Sequence, residues 1–204
     1  FWSLFDQTHS SWVHQAKRMD LTVLGHTFDP SQLQALNPIL VMLLIPLFTY
    51  VIYPLAGRLI ELTALRKIGC GLFLTVPSFS VIALAQERLD AGQSPTIWWQ
   101  VAGYLIITTA EILVSITAIE FSYTQAPRKM KSLIMGVFFL SFALGNVFTA
   151  QVNKYIAAEK AAGRVVLEGA SYFWFFTWVM LGTAVVFAIY AQFYRGQTFF
   201  QGEE

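Results

Sequence analysis

Long apolar runs separated by short polar stretches organise this chain. The most informative run is IWWQVAGYLIITTAEILVSITAIEFSYTQAP, from Ile97 to Pro127. It carries no charge from Ile97 to Ala110. Glu111 then stands alone, and only uncharged residues follow before Glu120. About 20 residues at roughly 1.5 Å rise cross about 30 Å of hydrocarbon, so the run predicts a spanning helix with Glu111 near its middle. A carboxylate there costs on the order of 3 kcal/mol on insertion scales, and such a residue reads first as a functional site. Tyr104, Thr108, Glu111, Ser115 and Ser122 recur at helical spacing and share one face, while Leu105, Ile112, Ile116 and Ile119 suit lipid or packing. That polar stripe predicts a water-filled cavity or a helix interface. The alternative is a neutral Glu111 bonded to a neighbouring helix as structural glue.

The same pattern predicts five complete spans in all, at about 30–57, 68–86, 97–123, 132–153 and 170–194, with 1–16 as a partial span whose start is missing. Asp29-Pro30 is a helix start, with Asp as N-cap and Pro in the first turn. Pro38, Pro46 and Pro54 are expected to bend their helix rather than end it, and Pro77 lies near the centre of the next span. Lys17–Phe28, Arg58–Lys67, Glu87–Thr96, Arg128–Lys131 and Lys154–Glu168 read as polar connections, and Arg195–Glu204 as a tail. Ser141, Gly145 and Thr149 lie four apart and predict a small-residue face for close helix packing. Tyr172, Trp174 and Trp178 at one end of the last span, with Tyr190 and Tyr194 at the other, fit an aromatic belt.

Composition agrees with an all-α membrane protein. More than half of the 204 residues are apolar (56%) and only 12% are charged, with mean hydropathy +0.56. A soluble domain of this size needs a more polar surface. The net charge of +1 gives no case for nucleic acid. Cys70 is the single cysteine, so no internal disulfide can form. The chain opens without Met inside FWSLF and without a signal-peptide pattern, which reads as a fragment or an excised half. Placing the Arg58–Lys67 and Arg128–Lys131 loops in the cytoplasm, together with the C-terminus, gives seven basic residues inside against six outside. The basic residues of the two short loops lie near helix ends, where the positive-inside rule has most force.

Enzymatic and metal chemistry find no foothold. His9, His14 and His26 lack metal-site spacing, and no cysteine cluster joins them. Gly69-Cys70-Gly71 is no phosphate loop. Ser78-Phe79-Ser80 has no His or Asp partner nearby for nucleophilic hydrolysis. No cofactor, metal or nucleic-acid partner is expected. Asp6, Glu111 and Glu120 are the acids placed at membrane depth, and no Lys or Arg lies inside a complete span. A cavity lined this way favours a cation or a proton.

Five runs together resemble the C-terminal half of a proton-coupled oligopeptide transporter, of the POT/PTR family of the major facilitator superfamily. They are FWSLFDQTHSSWVHQA (Phe1–Ala16), LQALNPILVMLLIPLF (Leu33–Phe48), AEILVSITAIEFSYTQAPRKMKSLIMG (Ala110–Gly136), ALGN (Ala143–Asn146) and YFWFF (Tyr172–Phe176). The resemblance makes the chain helices seven to twelve of twelve, a six-helix bundle with its first helix truncated. It implies symport of di- and tripeptides with protons by alternating access, with membrane lipid and the missing N-terminal six-helix bundle as partners. Glu111 matches the acid of the tenth helix that meets the peptide's amino end and takes part in coupling. Asn37 matches the asparagine of the peptide site, and Asp6 matches the acid of the seventh helix linked to gating and coupling. Phe138 stands where the family usually has a pocket-lining Trp, which bears on side-chain preference. Apart from the resemblance, Ser115 on the polar stripe is grouped with the substrate residues, and Glu120, nearer the cytoplasmic end of its helix, reads either as a coupling or gating acid or as a structural one paired with Arg128, Lys129 or a neighbouring helix. The short Glu87–Thr96 loop looks bacterial, which implies an inner membrane. A structural or assembly subunit and a member carrying another substrate, such as nitrate, stand as alternatives.

Overall fold

The structure, a computed structural model, describes residues 1–23 and 25–194, without the side chain of Arg128. The sequence-predicted tail Arg195–Glu204 lies outside the described residues. Among them five helices are long and apolar enough to cross a membrane: Pro30–Ala56, Ala64–Asp90, Trp98–Thr124, Lys131–Ala161 and Ala170–Phe193. The regular helical pieces are α1 (Trp2–Phe5), α2 (Ser11–Ala16), α3 (Leu36–Leu47), α4 (Tyr53–Ala56), α5 (Ala64–Asp90), α6 (Trp98–Glu111), α7 (Thr117–Thr124), α8 (Lys131–Ala161) and α9 (Ala170–Phe193).

Local chemistry accounts for the starts and the irregularities. Asp29 caps its helix: Oδ1 accepts from the Ser31 amide at 3.0 Å and the Ser31 hydroxyl at 2.7 Å, while Gln32 Oε1 accepts from the Asp29 amide at 2.9 Å. These bonds, the amide's first, hold the Asp29 carboxyl below the usual carboxylate range. The cap opens a tight 3-10 turn, Pro30–Ala35, before α3 begins. Pro54 has no amide hydrogen to return to the fourth carbonyl before it, and the turn ahead of it, Phe48–Ile52, is π-helical. Pro46 and Pro77 stay inside continuous helix. α5 starts at Ala64, with the Thr63 hydroxyl accepting from the Arg66 amide at 3.3 Å.

α5 is the spine of the packing, flanked by α6 and α9. Trp12, Phe79, Ile82, Tyr104, Ile107, Phe176 and Met180 are fully buried around it. The Trp12 ring lies 5.1 Å from Tyr104 and 5.6 Å from Phe79. Gly71 makes the α5–α6 approach possible, because a Cβ there would stand 2.6 Å from Val114 and 2.9 Å from the Ala110 carbonyl oxygen. Three buried glutamines bind one end of this core together. Gln100 donates to the Trp12 carbonyl (2.8 Å) and to Gln15 (3.0 Å), Gln15 donates to the Ile82 carbonyl and to Gln86 (3.0 Å each), and Gln86 donates to Asp90 (2.8 Å). Buried this way the amides bond one another, and Gln100 Oε1 is left without a partner. By contrast, α3 and α8 bury no residue fully and expose apolar side chains along their length.

Several element boundaries differ from the sequence expectation. The stretch Phe1–Ala16 is not one helix: α1 passes into a 3-10 turn at Asp6–His9 and breaks at Ser10 (φ −129°, ψ −82°) before α2. Lys17–Phe28 contains a small antiparallel hairpin, β1 (Thr22–Val23) with β2 (His26–Thr27), and Asp20 bridges Thr96. The Lys154–Glu168 connection is helical as far as Ala161, because Ala-rich IAAEKAA favours helix after the membrane has been left behind. For the same reason α5 continues through Glu87 and Arg88 to Asp90. Charge marks where a helix leaves hydrocarbon, not where it stops.

Candidate functional site

Glu111 is the last residue of α6, and a π-helical turn, Ile112–Ile116, separates it from α7. A π turn inserts extra backbone into the helix and shifts the phase of the residues beyond it, a feature frequent at functional sites. Thr108 and Glu111, one turn apart and both ahead of that shift, share a face, and this face meets the first turn of α3. There the Thr108 hydroxyl donates to Asn37 Oδ1 at 2.6 Å. The Asn37 side chain also approaches the Glu111 carboxylate. Glu111 is half-buried, and its Oε2 is buried without a hydrogen-bond partner. Such an atom carries a desolvation cost that a proton or a cationic ligand can relieve.

The expected polar stripe does not act as one surface. Tyr104 is fully buried, and its hydroxyl donates to the Thr8 carbonyl at 3.0 Å, so it closes the core rather than lining a cavity. Ser115 lies inside the π turn and is half-buried, as is Ser122 on α7. Glu120 is exposed, and among the described residues no ion pair reaches Glu120, Glu111 or Asp6.

Asp6 belongs to a second polar pair, on the 3-10 turn after α1. Its Oδ2 accepts from Asn146 Nδ2 of α8 at 2.7 Å. The expected small-residue face of α8 holds this contact. The Ser3 and Thr149 hydroxyls are 2.7 Å apart, and a Cβ on Gly145 would stand 2.8 Å from the Ser3 amide nitrogen. Phe138, half-buried on α8, lines a cavity of about 630 Å³ with Ser3, Val114, Gly145, Met180 and Phe187. Its ring lies 5.7 Å from Phe142, which stacks on Trp2 at 3.6 Å. The structure thus joins Asn37, Thr108 and Glu111 in one group and Asp6 with Asn146 in another. Sequence reading singled out both acids, Thr108 and Asn37, but did not pair Thr108 with Asn37 and gave Asn146 no role. Asn146 stood in the ALGN run without a role, since nothing in the sequence ties it to Asp6.

Known proteins share this arrangement of helices. The chain matches the POT family over residues 1–175. It is 28% identical to the peptide transporter PTR2 of Saccharomyces cerevisiae over 198 residues, which cover 91% of this chain and 30% of the yeast protein. Among solved structures, an auto-inhibited POT family peptide transporter superposes with TM-score 0.87 at 35% identity, covering 99% of this chain and 40% of that one. The POT family transporter PepTSo superposes with TM-score 0.82 at 40% identity, covering 94% and 38% respectively. The chain spans less than half the length of these relatives. It is a helical, multi-pass membrane protein, and it belongs to the POT family of transporters.

Proposed function

We propose that this chain belongs to the C-terminal six-helix bundle of a proton-coupled symporter of di- and tripeptides, with the broken helical stretch Phe1–Ala16 in the place of the bundle's first helix. In this reading the bundle works with an N-terminal bundle around a shared site near the membrane midplane. It lies in a cell inner membrane with its C-terminus in the cytoplasm. Glu111 receives the peptide's amino group and exchanges a proton, with Asn37 beside it as a substrate contact. Ser115 and Phe138 border the substrate. Asp6 serves coupling or gating, and Glu120 lies toward the cytoplasmic end of its helix, at the gate. The peptide's carboxylate then requires basic residues from the other bundle, since this one offers acids at membrane depth.

The observation that carries the reading is Glu111. It is a lone carboxylate deep in an apolar helix, placed at a π turn, with one buried oxygen unpartnered and an amide beside it. A purely structural acid would be expected to have both oxygens engaged with its neighbours.

The test uses Glu111→Gln in the complete transporter. Gln keeps the shape and the hydrogen-bonding capacity but cannot change charge. The expected outcome is loss of gradient-driven dipeptide accumulation and weaker peptide binding, in a protein that still folds and inserts. Accumulation at the parent level would remove Glu111 from the mechanism and favour the glue reading.

A further inference from the structure

The first sixteen residues are held by two different parts of the molecule. α2 is fastened into the core by Gln15, which bonds Gln86 and the Ile82 carbonyl, and by Gln100, which bonds the Trp12 carbonyl and Gln15. α1 is fastened to α8 instead, through Ser3 with Thr149 and the close approach at Gly145. Asp6 stands at the joint, on the 3-10 turn that ends at the Ser10 break. Its Oδ2 accepts from Asn146 Nδ2, at 2.7 Å.

An amide suits an acid that changes protonation state. Its Nδ2 donates to a carboxylate, and its Oδ1, after a flip of the group, accepts from the O–H of a carboxylic acid. A carbonyl partner would serve only the protonated form, and a lysine only the charged one. Few rivals face Asp6 among the described residues. His9 lies on the same turn, exposed, with its ring 6.2 Å from Phe5. α8 has no titratable side chain between Lys131 and Lys154. α6 contributes Tyr104, whose hydroxyl is taken by the Thr8 carbonyl. α9 contributes Tyr172, beside Ser11 and Asn153.

We infer that Asn146 is a positioning residue for proton coupling: it holds the Asp6 side chain against α8 in both protonation states, so that a proton on Asp6 is felt at the α1–α8 seam. The inference rests on the reading of Asp6 as a coupling acid.

The experiment reconstitutes the complete transporter in liposomes and follows labelled dialanine in two assays, accumulation driven by a proton gradient and exchange without one. Asn146→Leu is expected to lower accumulation about tenfold, the worth of one hydrogen bond to a charged group, while exchange falls far less. Asn146→Gln and Asn146→Ser, which restore a donor and an acceptor, are expected to recover most of the loss. Parent-level accumulation in Asn146→Leu, with Asp6→Asn inactive, overturns the positioning role alone. Parent-level accumulation in Asp6→Asn overturns the coupling reading and the inference with it. Equal losses of accumulation and exchange in Asn146→Leu and Asn146→Ser assign the residue to helix packing and also overturn the inference.

Discussion

At the scale of the residue, the contact between Thr108 and Asn37 orients the amide that borders Glu111. Thr108→Val keeps the branched shape and removes the only hydroxyl in that contact. If Asn37 is a substrate contact, its side chain is then free to turn. KM for a dipeptide is expected to rise about fivefold, as about 1 kcal/mol of hydrogen bond implies, with kcat little changed. A loss of thermal stability with KM unchanged would assign the pair to packing between α3 and α6. The sequence made Glu111 visible because an isolated acid in an apolar run has few inexpensive explanations. It could not show which amide serves it, because Asn37 and Thr108 are 71 positions apart and only tertiary packing brings them together. Tyr104 shows the converse failure. A helical wheel assigns Tyr104 and Glu111 to one face, but two different neighbours divide that face, so its polar groups have different uses.

At the scale of the element, hydropathy placed the five long helices well and their ends less well. The misplaced ends are the helical extension to Ala161 and both ends of α5, which begins at Ala64 inside the expected Arg58–Lys67 connection and runs on to Asp90, all in polar sequence that helix tolerates. The break at Ser10 and the π turns were not legible either. They depend on how a helix is gripped by its neighbours, and side-chain periodicity does not record that. Glycines show the same dependence on context. Gly71 and Gly136 both lie inside long helices, yet a Cβ on Gly71 meets Val114 and the Ala110 carbonyl, while one on Gly136 meets nothing within 4 Å. Gly71→Ala is expected to cost about 1–3 kcal/mol through overpacking and to lower the melting temperature in detergent. Gly136→Ala should be neutral or should gain up to about 1 kcal/mol from helix propensity. Equal melting temperatures for the two variants would mean that α5 and α6 are not packed as closely as this structure has them.

At the scale of the whole molecule, charge near the helix ends decides which side of the membrane each end faces. Contacts group the connections into two sets. At one end Trp174 donates to Glu87 at 2.7 Å, the Ala170 amide donates to Asp90 at 2.9 Å, and Asp20 bridges Thr96. At the other, the Phe121 ring lies 5.8 Å from Tyr194, near the turns that come after α4 and α7. The second end carries the two short basic connections, and their cations lie within a turn or two of the apolar stretches: Lys67 over the Tyr53 ring at 4.4 Å and Lys131 over the Tyr123 ring at 3.9 Å. Cations so close to the apolar stretches weigh more in orientation than those farther out, such as Lys160 in the last turn of the extended α8 and Arg164 after it, which pair with Glu168 and Glu159. In the proposed orientation the second end faces the cytoplasm. Single cysteines introduced into a Cys70→Ala background of the complete transporter, labelled in intact cells with an impermeant maleimide, test this. Positions in Lys17–Phe28, Ala91–Thr96 and Ala162–Gly169 are expected to react, and positions in Arg58–Thr63 and Gln125–Met130 to react only after the membrane is permeabilised. The reverse pattern would invert the orientation. Reaction in Ala91–Thr96 and Ala162–Gly169 but not in Lys17–Phe28 would contradict the packing of α2 against Gln86 and Gln100 at that end, and with it the reading of Phe1–Ala16 as part of a sixth spanning helix.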